Sequence, residues 1–278
     1  MSTLLLTIVL ATALLHASWN IIVKSGNNKL FETGLTATGG FLLGLSFLPF
    51  LPVPTAASWP FLCFSCLCHT TYYVFMARAY ETTDISTAYT VMRGAAPLIT
   101  STFLLFFDMS LSLMGWIGIG FLCTGIFCLA VDTKKGVSGW RGIKAALITA
   151  GIIAAYTLTD GLGARANADG ASYACWLFVL KMLPMQTYLL WRHGESYLKY
   201  VLTRPCPGIV GGMACFLSYG IAVWAMTKAP IAMVAALRET SVIFGMLLAV
   251  LCLHEKFSLQ RTMAVVLVAA GASLLKIS

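Results

Sequence analysis

The stretch "LLHASWNIIVKSG", Leu14 to Gly26, begins as the tail of an oily run and then sets His16, Trp19, Asn20 and Lys24 along it, three or four residues apart. In an α-helix that spacing puts side chains on one face. A helix greasy enough for lipid must turn such a face toward something other than lipid. The whole chain points to the same solvent. Of its 278 residues, 59% are hydrophobic and only 10% charged, with a mean hydropathy of +0.86; an ordinary soluble domain carries about 25% charge. A bilayer-spanning helix needs roughly 20 apolar residues. Cut at its charges, prolines and polar turns, the chain yields ten such pieces: 3–23, 32–52, 58–80, 86–107, 112–131, 142–163, 171–192, 206–228, 231–252 and 259–276. The expected fold is an all-α integral membrane protein with ten transmembrane helices and no soluble domain. "MST" lacks the positive region of a signal peptide, so the first piece reads as a span. The longer connections are the basic "DTKKGVSGWRGIK" and "RHGESYLKYVLTR".

Lys and Arg set the orientation, because cytoplasmic loops are enriched in them. Twelve of the 18 fall on the side reached after odd-numbered helices and only three (Arg165, Lys228 and Lys276) on the other. The basic side is therefore expected in the cytoplasm, with both termini on the non-cytoplasmic side of the plasma (inner) membrane. Topology accounts for the net charge of +8, and no nucleic-acid partner is needed. The three remaining cations, Arg93, Lys181 and Arg238, lie inside proposed helices.

Eight of the nine cysteines fall inside helices and read as small apolar core residues, not a disulfide framework. In "CFSCLCH", Cys63, Cys66 and His69 share a helical face and offer three metal ligands. A fourth ligand is not evident, and the competing reading is a packed helix with a hydrogen-bonded histidine. No cofactor or metal is expected.

The halves repeat. At an offset of 146, Tyr73 meets Tyr219, Ile85 meets Ile231 and Gly125 meets Gly271; Arg93 meets Arg238 with one gap, and Asn20 meets Asp160 at an offset of 140. Five helices per repeat force the second half to enter the membrane from the opposite side, an inverted-topology plan that places a substrate site near the midplane. The expected units are 1–132 and 141–278. "LLHASWNIIVKSG", "AYTVMRGAAPLI", "AALRETSVIFGMLLAVLCLHEKFS" and "AVVLVAAGASLLKI" resemble EamA-type members of the drug/metabolite transporter superfamily over essentially the whole chain. That resemblance implies a ten-helix secondary transporter, more often an exporter, and leaves the substrate open. Asp108, Met109 and Ser110 stand in the first repeat where the second has "HEKFS", so Glu255 has no symmetric counterpart.

A charge at a helix centre costs about 2.5–3.5 kcal/mol on insertion scales, so Arg93, Lys181 and Arg238 facing lipid would cost about 8–10 kcal/mol together. They must face one another, an acid or a water-filled cavity. The candidate translocation residues are His16, Trp19 and Asn20 on the first helix; Tyr89 and Arg93 on the fourth; Tyr156 and Asp160 on the sixth; Lys181 on the seventh; and Arg238 and Glu239 on the ninth. Depth suggests a polar pair at each mouth, Asn20 with Arg93 and Asp160 with Arg238. The competing reading makes Asp160–Arg238 or Glu239–Lys181 interhelical ion pairs that hold the bundle. Gly39, Gly40 and Gly44 supply small-xxx-small spacing for close helix approach.

The leading expectation is alternating-access transport of a small polar zwitterionic or anionic metabolite, such as an amino acid, with proton coupling through Asp160, Glu239 and His16. The alternatives are a broad multidrug exporter, or a membrane metal sensor or enzyme using Cys63, Cys66 and His69. No zinc-protease helix motif, phosphate-binding glycine loop or intramembrane aspartate pair favours an enzyme. Oligomeric state is not readable.

Overall fold

The computed structural model describes residues 2–82, 85–107, 111–131, 140–167, 169–253 and 259–277; among them there is no strand, and nearly all are helical. The helices are α1 (Thr3–Ser25), α2 (Lys29–Phe47), α3 (Trp59–Thr82), α4 (Ile85–Leu104), α5 (Leu113–Val131), α6 (Trp140–Ala166), α7 (Gly170–Thr203), α8 (Pro205–Met226), α9 (Ile231–Arg238), α10 (Ser241–Leu253) and α11 (Leu259–Ile277). Their starts follow capping chemistry. Side chains of Ser2, Asn28 and Asp169 accept from the first-turn N–H groups of α1, α2 and α7, and Pro205 opens α8 where its missing N–H costs nothing. Hydroxyls inside the helices fold back onto their own backbone: Thr102, Thr124, Thr149 and Thr159 each donate to the carbonyl four residues earlier. Such bonds satisfy a polar group that apolar surroundings cannot.

Polarity is inverted relative to a water-soluble fold. Phe50, Phe106 and Trp191 are 80–83% exposed, whereas Glu32 and Asp160 are fully buried. Among the described residues four helical stretches are long and apolar enough to cross a bilayer: Thr3–Val23, Leu30–Phe50, Arg141–Ala166 and Pro205–Met226. The molecule is a multi-pass membrane protein.

Two expectations require correction. The ninth predicted span is two helices, α9 and α10, separated by a tight turn at Glu239 and Thr240. There the N–H groups of Glu239, Thr240 and Val242 reach back only three residues, to Ala236, Leu237 and Glu239, a 3₁₀ tightening. The Thr240 hydroxyl also donates to the Leu237 carbonyl. Residues 231–241 are all buried, so no amphipathic pattern marked the break. Second, "RHGESYLKYVLTR" is largely helical: α7 runs on to Thr203 and bends at Gly194, whose φ of 42° and ψ of −115° lie where side-chain-bearing residues rarely go. The arm beyond the bend docks on the start of α2. Phe31 meets Tyr197 and Tyr200 edge-on at 5.5 and 5.4 Å, the Tyr200 hydroxyl donates to Glu32 at 2.7 Å, and Arg204 Nε lies 2.8 Å from the same carboxylate oxygen. Burial, and then the bond to Glu32, push the Tyr200 phenol above its ordinary pKa.

Backbones approach closely where glycines meet. A Cβ on Gly39 of α2 would sit 2.3 Å from the Gly208 carbonyl oxygen, and one on Gly212 of α8 would sit 2.4 Å from the Gly39 Cα. Gly39 and Gly40 were expected to permit such a crossing; their partners Gly208 and Gly212 repeat the spacing on α8. Around this crossing the bundle is built from paired contacts: α3 packs on α6 and α8 on α1; α4 on α6 and α10 on α1; α2 on α8 and α7 on α3. In addition α5 packs on α11, and α2 on α7.

Candidate functional site

Six charged side chains are buried among the described residues. Glu32 serves the α2–α7 joint, and the other five gather in two adjoining clusters in the interior.

The first cluster joins α1, α4 and the end of α9. Arg93 Nη1 lies 3.4 Å from Glu239 Oε1, and Nη2 lies 2.7 Å from His16 Nε2. A guanidinium can only donate, so His16 Nε2 accepts and the ring is neutral with its proton on Nδ1. The Trp19 indole N–H, 3.3 Å from Nδ1, then faces another donor, and its contribution is the edge-on ring contact with His16 at 5.2 Å. Glu239 Oε2 is buried with no hydrogen-bond partner. Asn20 departs from expectation: its amide donates to the His16 carbonyl at 2.7 Å, satisfied within its own helix, so the pairing with Arg93 at one mouth is replaced by Arg93–Glu239.

The second cluster centres on Asp160 of α6. Tyr173 of α7 donates to Oδ1 at 3.1 Å and Tyr219 of α8 donates to Oδ2 through a short bond. Both carboxyl oxygens thus have a phenol partner. His69 of α3 sits with Nε2 3.5 Å from Oδ2, too poorly aligned for a hydrogen bond, and stacks on Tyr156 at 4.2 Å. Tyr219 also carries two cations. Lys181 Nζ is 4.2 Å from its ring centre, and 3.8 Å from that of Phe178; Arg238 Cζ is 4.7 Å from the Tyr219 ring centre. Cation–π contact of this kind is worth about 2 kcal/mol when desolvated. Among the described residues no carboxylate lies within 4.0 Å of Lys181 or Arg238. The ion pairs expected as the competing reading, Asp160–Arg238 and Glu239–Lys181, are therefore not formed. Tyrosines hold Asp160 instead, and Glu239 is taken by Arg93.

Between the clusters lies a cavity with room for about one water molecule, lined in part by Arg93, Pro97, Tyr156, Arg238 and Glu239. That cavity leaves little free space beside these side chains. Of the expected residues, His16, Trp19, Arg93, Tyr156, Asp160, Lys181, Arg238 and Glu239 come together here; the side chain of Tyr89 lies outside the described residues. The metal alternative does not assemble, because Cys63 is exposed while His69 points inward to Asp160. Sequence reading missed Tyr173 and Tyr219 as carboxylate ligands. A phenol within an apolar helix needs a hydrogen-bond partner when buried, and that was the available signal.

The profile of the EamA-like transporter family matches residues 140–277. A solved structure, described only as a crystal structure of a protein, superposes with a TM-score of 0.78 at 17% identity, covering 100% of this chain and 99% of its own. At that identity the likeness speaks for the fold alone. No curated protein matches the chain in sequence. With its helical membrane fold and a family match spanning α6 to α11, the chain belongs to the EamA-like transporter family of the drug/metabolite transporter superfamily.

Proposed function

We propose that the protein is a ten-span secondary transporter, built as two inverted five-helix repeats (1–132 and 141–278), that moves a small polar zwitterionic or anionic metabolite across the plasma membrane by alternating access. The observation that carries this reading is the buried charge set: Arg93, Asp160, Lys181, Arg238 and Glu239 converge inside a helical membrane protein with a single ion pair among them. Purely structural charges would be expected to pair off, because an unpaired buried ion is costly.

Packing supports the inverted repeat. At the proposed offset Gly118 corresponds to Ala264, Leu122 to Val268 and Gly125 to Gly271. A Cβ on Gly125 would meet Ala264 and Val268, and one on Gly271 would meet Gly118 and Leu122, so the contacts interchange with the repeats. The same residues make α5 and α11 antiparallel. Two equivalent helices touching across a twofold axis run parallel when the axis follows the membrane normal and antiparallel when it lies in the membrane plane. The paired helix contacts exchange under the same operation.

Export is favoured by family, and both termini are placed outside by the Lys and Arg distribution. Protons are the proposed coupling ion, with His16, Asp160 and Glu239 as carriers; His16 held as acceptor by Arg93 supports this, since protonating it would expel the guanidinium. A purely cationic drug would meet Lys181 and Arg238, which argues against a broad multidrug exporter. The test is counterflow in proteoliposomes: saturable, protein-dependent uptake of a small zwitterion or anion is expected, and saturable uptake of lipophilic cations alone would refute the substrate class.

A further inference from the structure

The charge arrangement can be carried further than "zwitterionic or anionic", and this step rests on the transport reading above. Arg93 and Glu239 compensate each other at 3.4 Å. His16, accepting from Arg93, is neutral. Asp160 accepts from Tyr173 and Tyr219, and its single negative charge faces two cations, Lys181 and Arg238, which share the Tyr219 ring at 4.2 and 4.7 Å. With His69 neutral and Arg93, Asp160, Lys181, Arg238 and Glu239 ionised, the described interior carries one positive charge in excess, and that excess is localised beside Tyr219. An aromatic face lends each cation partial compensation, but a ring has no lone pairs to accept their N–H groups. The ammonium of Lys181 and the guanidinium of Arg238, the latter bordering the closed cavity, lack the oxyanion they are built to bind. Asp160 does not fill that role, because neither cation comes within 4.0 Å of its carboxylate oxygens.

We infer that the Lys181–Tyr219–Arg238 cluster is an oxyanion-binding site and that the preferred substrate carries a net charge of minus one, a small carboxylate or phosphonate monoanion. A zwitterion binding there would leave the interior with its excess charge, and a cation would add to it. A monoanion brings the described interior to neutrality, which is the least costly state at membrane depth. Asp160 then acts at a distance: its fixed negative charge keeps the local surplus at one and so disfavours dianions. The site must open to admit such a solute, since the present cavity holds about one water molecule.

The experiment uses the full chain in detergent and in proteoliposomes at mildly acidic pH, with four probes: lactate and methylphosphonate as monoanions, alanine as zwitterion and choline as cation. Lactate or methylphosphonate is expected to stabilise the protein against heating and to be taken up in preference to alanine, with choline inert. Lys181→Gln and Arg238→Gln should each weaken monoanion binding by about tenfold or more. Removing one positive charge should also shift preference toward alanine, a reversal that simple loss of packing would not produce. Lys181→Arg, which keeps the charge, should retain the wild-type order. Wild-type protein that prefers alanine or choline overturns the monoanion assignment and leaves transport standing, and this comparison does not depend on any variant folding. If none of the four probes binds or moves, both the assignment and the transport reading fall.

Discussion

Replacing Glu239 by Gln tests how the interior is held together. The carboxylate is 5% exposed and lies 3.4 Å from Arg93, which is 8% exposed, and the neighbouring cavity is too small for solvent to re-hydrate a stranded guanidinium. Removing one partner of a buried pair generally costs about 3–5 kcal/mol, because the survivor is left uncompensated. Here the cost belongs at the lower end, about 3 kcal/mol, since Arg93 keeps its 2.7 Å bond to His16 and the contact with Glu239 is through a single oxygen. Arg93→Gln strands Glu239 instead, whose second oxygen already lacks a partner, and should cost a similar amount. The double variant, Arg93→Gln with Glu239→Gln, removes both charges and should be more stable than either single variant. Equilibrium unfolding in mixed micelles measures all three. A double variant that loses the sum of the two single losses would mean that the residues do not interact, and a neutral Glu239→Gln would mean that Arg93 does not depend on this carboxylate for compensation.

Gly212→Leu should abolish folding, because its Cβ would meet the Gly39 backbone at 2.4 Å where nothing can move aside; Gly120→Leu, with nothing within 4 Å, should express normally in a detergent-extraction and size-exclusion assay. Gly194→Ala should lower the melting temperature, since its positive φ with ψ of −115° is a sparsely populated conformation that costs a residue with a Cβ about 1–3 kcal/mol; an unchanged melt would mean that the arm does not depend on that bend. Tyr219→Phe removes one of the two phenols on Asp160 and should cost about 1.5–3 kcal/mol in the same unfolding assay, whereas Tyr188→Phe, on an exposed residue, should be silent. A reporter active only in the cytoplasm should be active when inserted near Lys135 and silent when fused after Ser278; the reverse pattern overturns the orientation drawn from the Lys and Arg distribution.

The polar face of α1 was legible because helical spacing and the cost of polar groups in lipid act locally: His16 and Trp19 turn inward as their spacing requires. Asn20 shares that face but not the function, because an amide four residues after His16 can reach the His16 carbonyl and satisfy itself. That the cations lie inside was legible from hydropathy. Which acid meets which cation was not, because the answer depends on the rotation of residue 239 about its helix, and the break between α9 and α10 sets that rotation. The arm after Gly194 was hidden by its charges. Its helical signal is confined to Tyr197, Tyr200 and Val201, too short a run to outweigh Arg192, Glu195 and Lys199, and Glu195–Lys199 proves to be an exposed i,i+4 pair on the helix itself.

The Arg93–Glu239 contact also bears on why the two proposed repeats would share a single chain. The two residues are 146 positions apart, the same offset that relates Gly125 to Gly271. Read without the gap that aligns Arg93 with Arg238, the proposed inverted repeat would make them equivalent positions meeting across its pseudo-twofold axis. In a dimer of identical five-helix chains such a position meets its own copy, Arg against Arg or Glu against Glu, with a like-charge repulsion that a closed interior magnifies. A single polypeptide carrying both proposed repeats is free of that restriction: the first would keep the arginine, the second would place a glutamate there, and the neighbouring Arg238 is left outside the pair. On the proposed repeat, the glycine contacts between α5 and α11 are compatible with the symmetry, because a glycine can meet a small backbone surface from either side, whereas a symmetric charged centre would be costly. On the proposed reading, the same asymmetry leaves one positive charge over beside Tyr219, where Lys181 and Arg238 meet the ring at 4.2 and 4.7 Å and where a monoanion would be held by residues of the proposed second repeat.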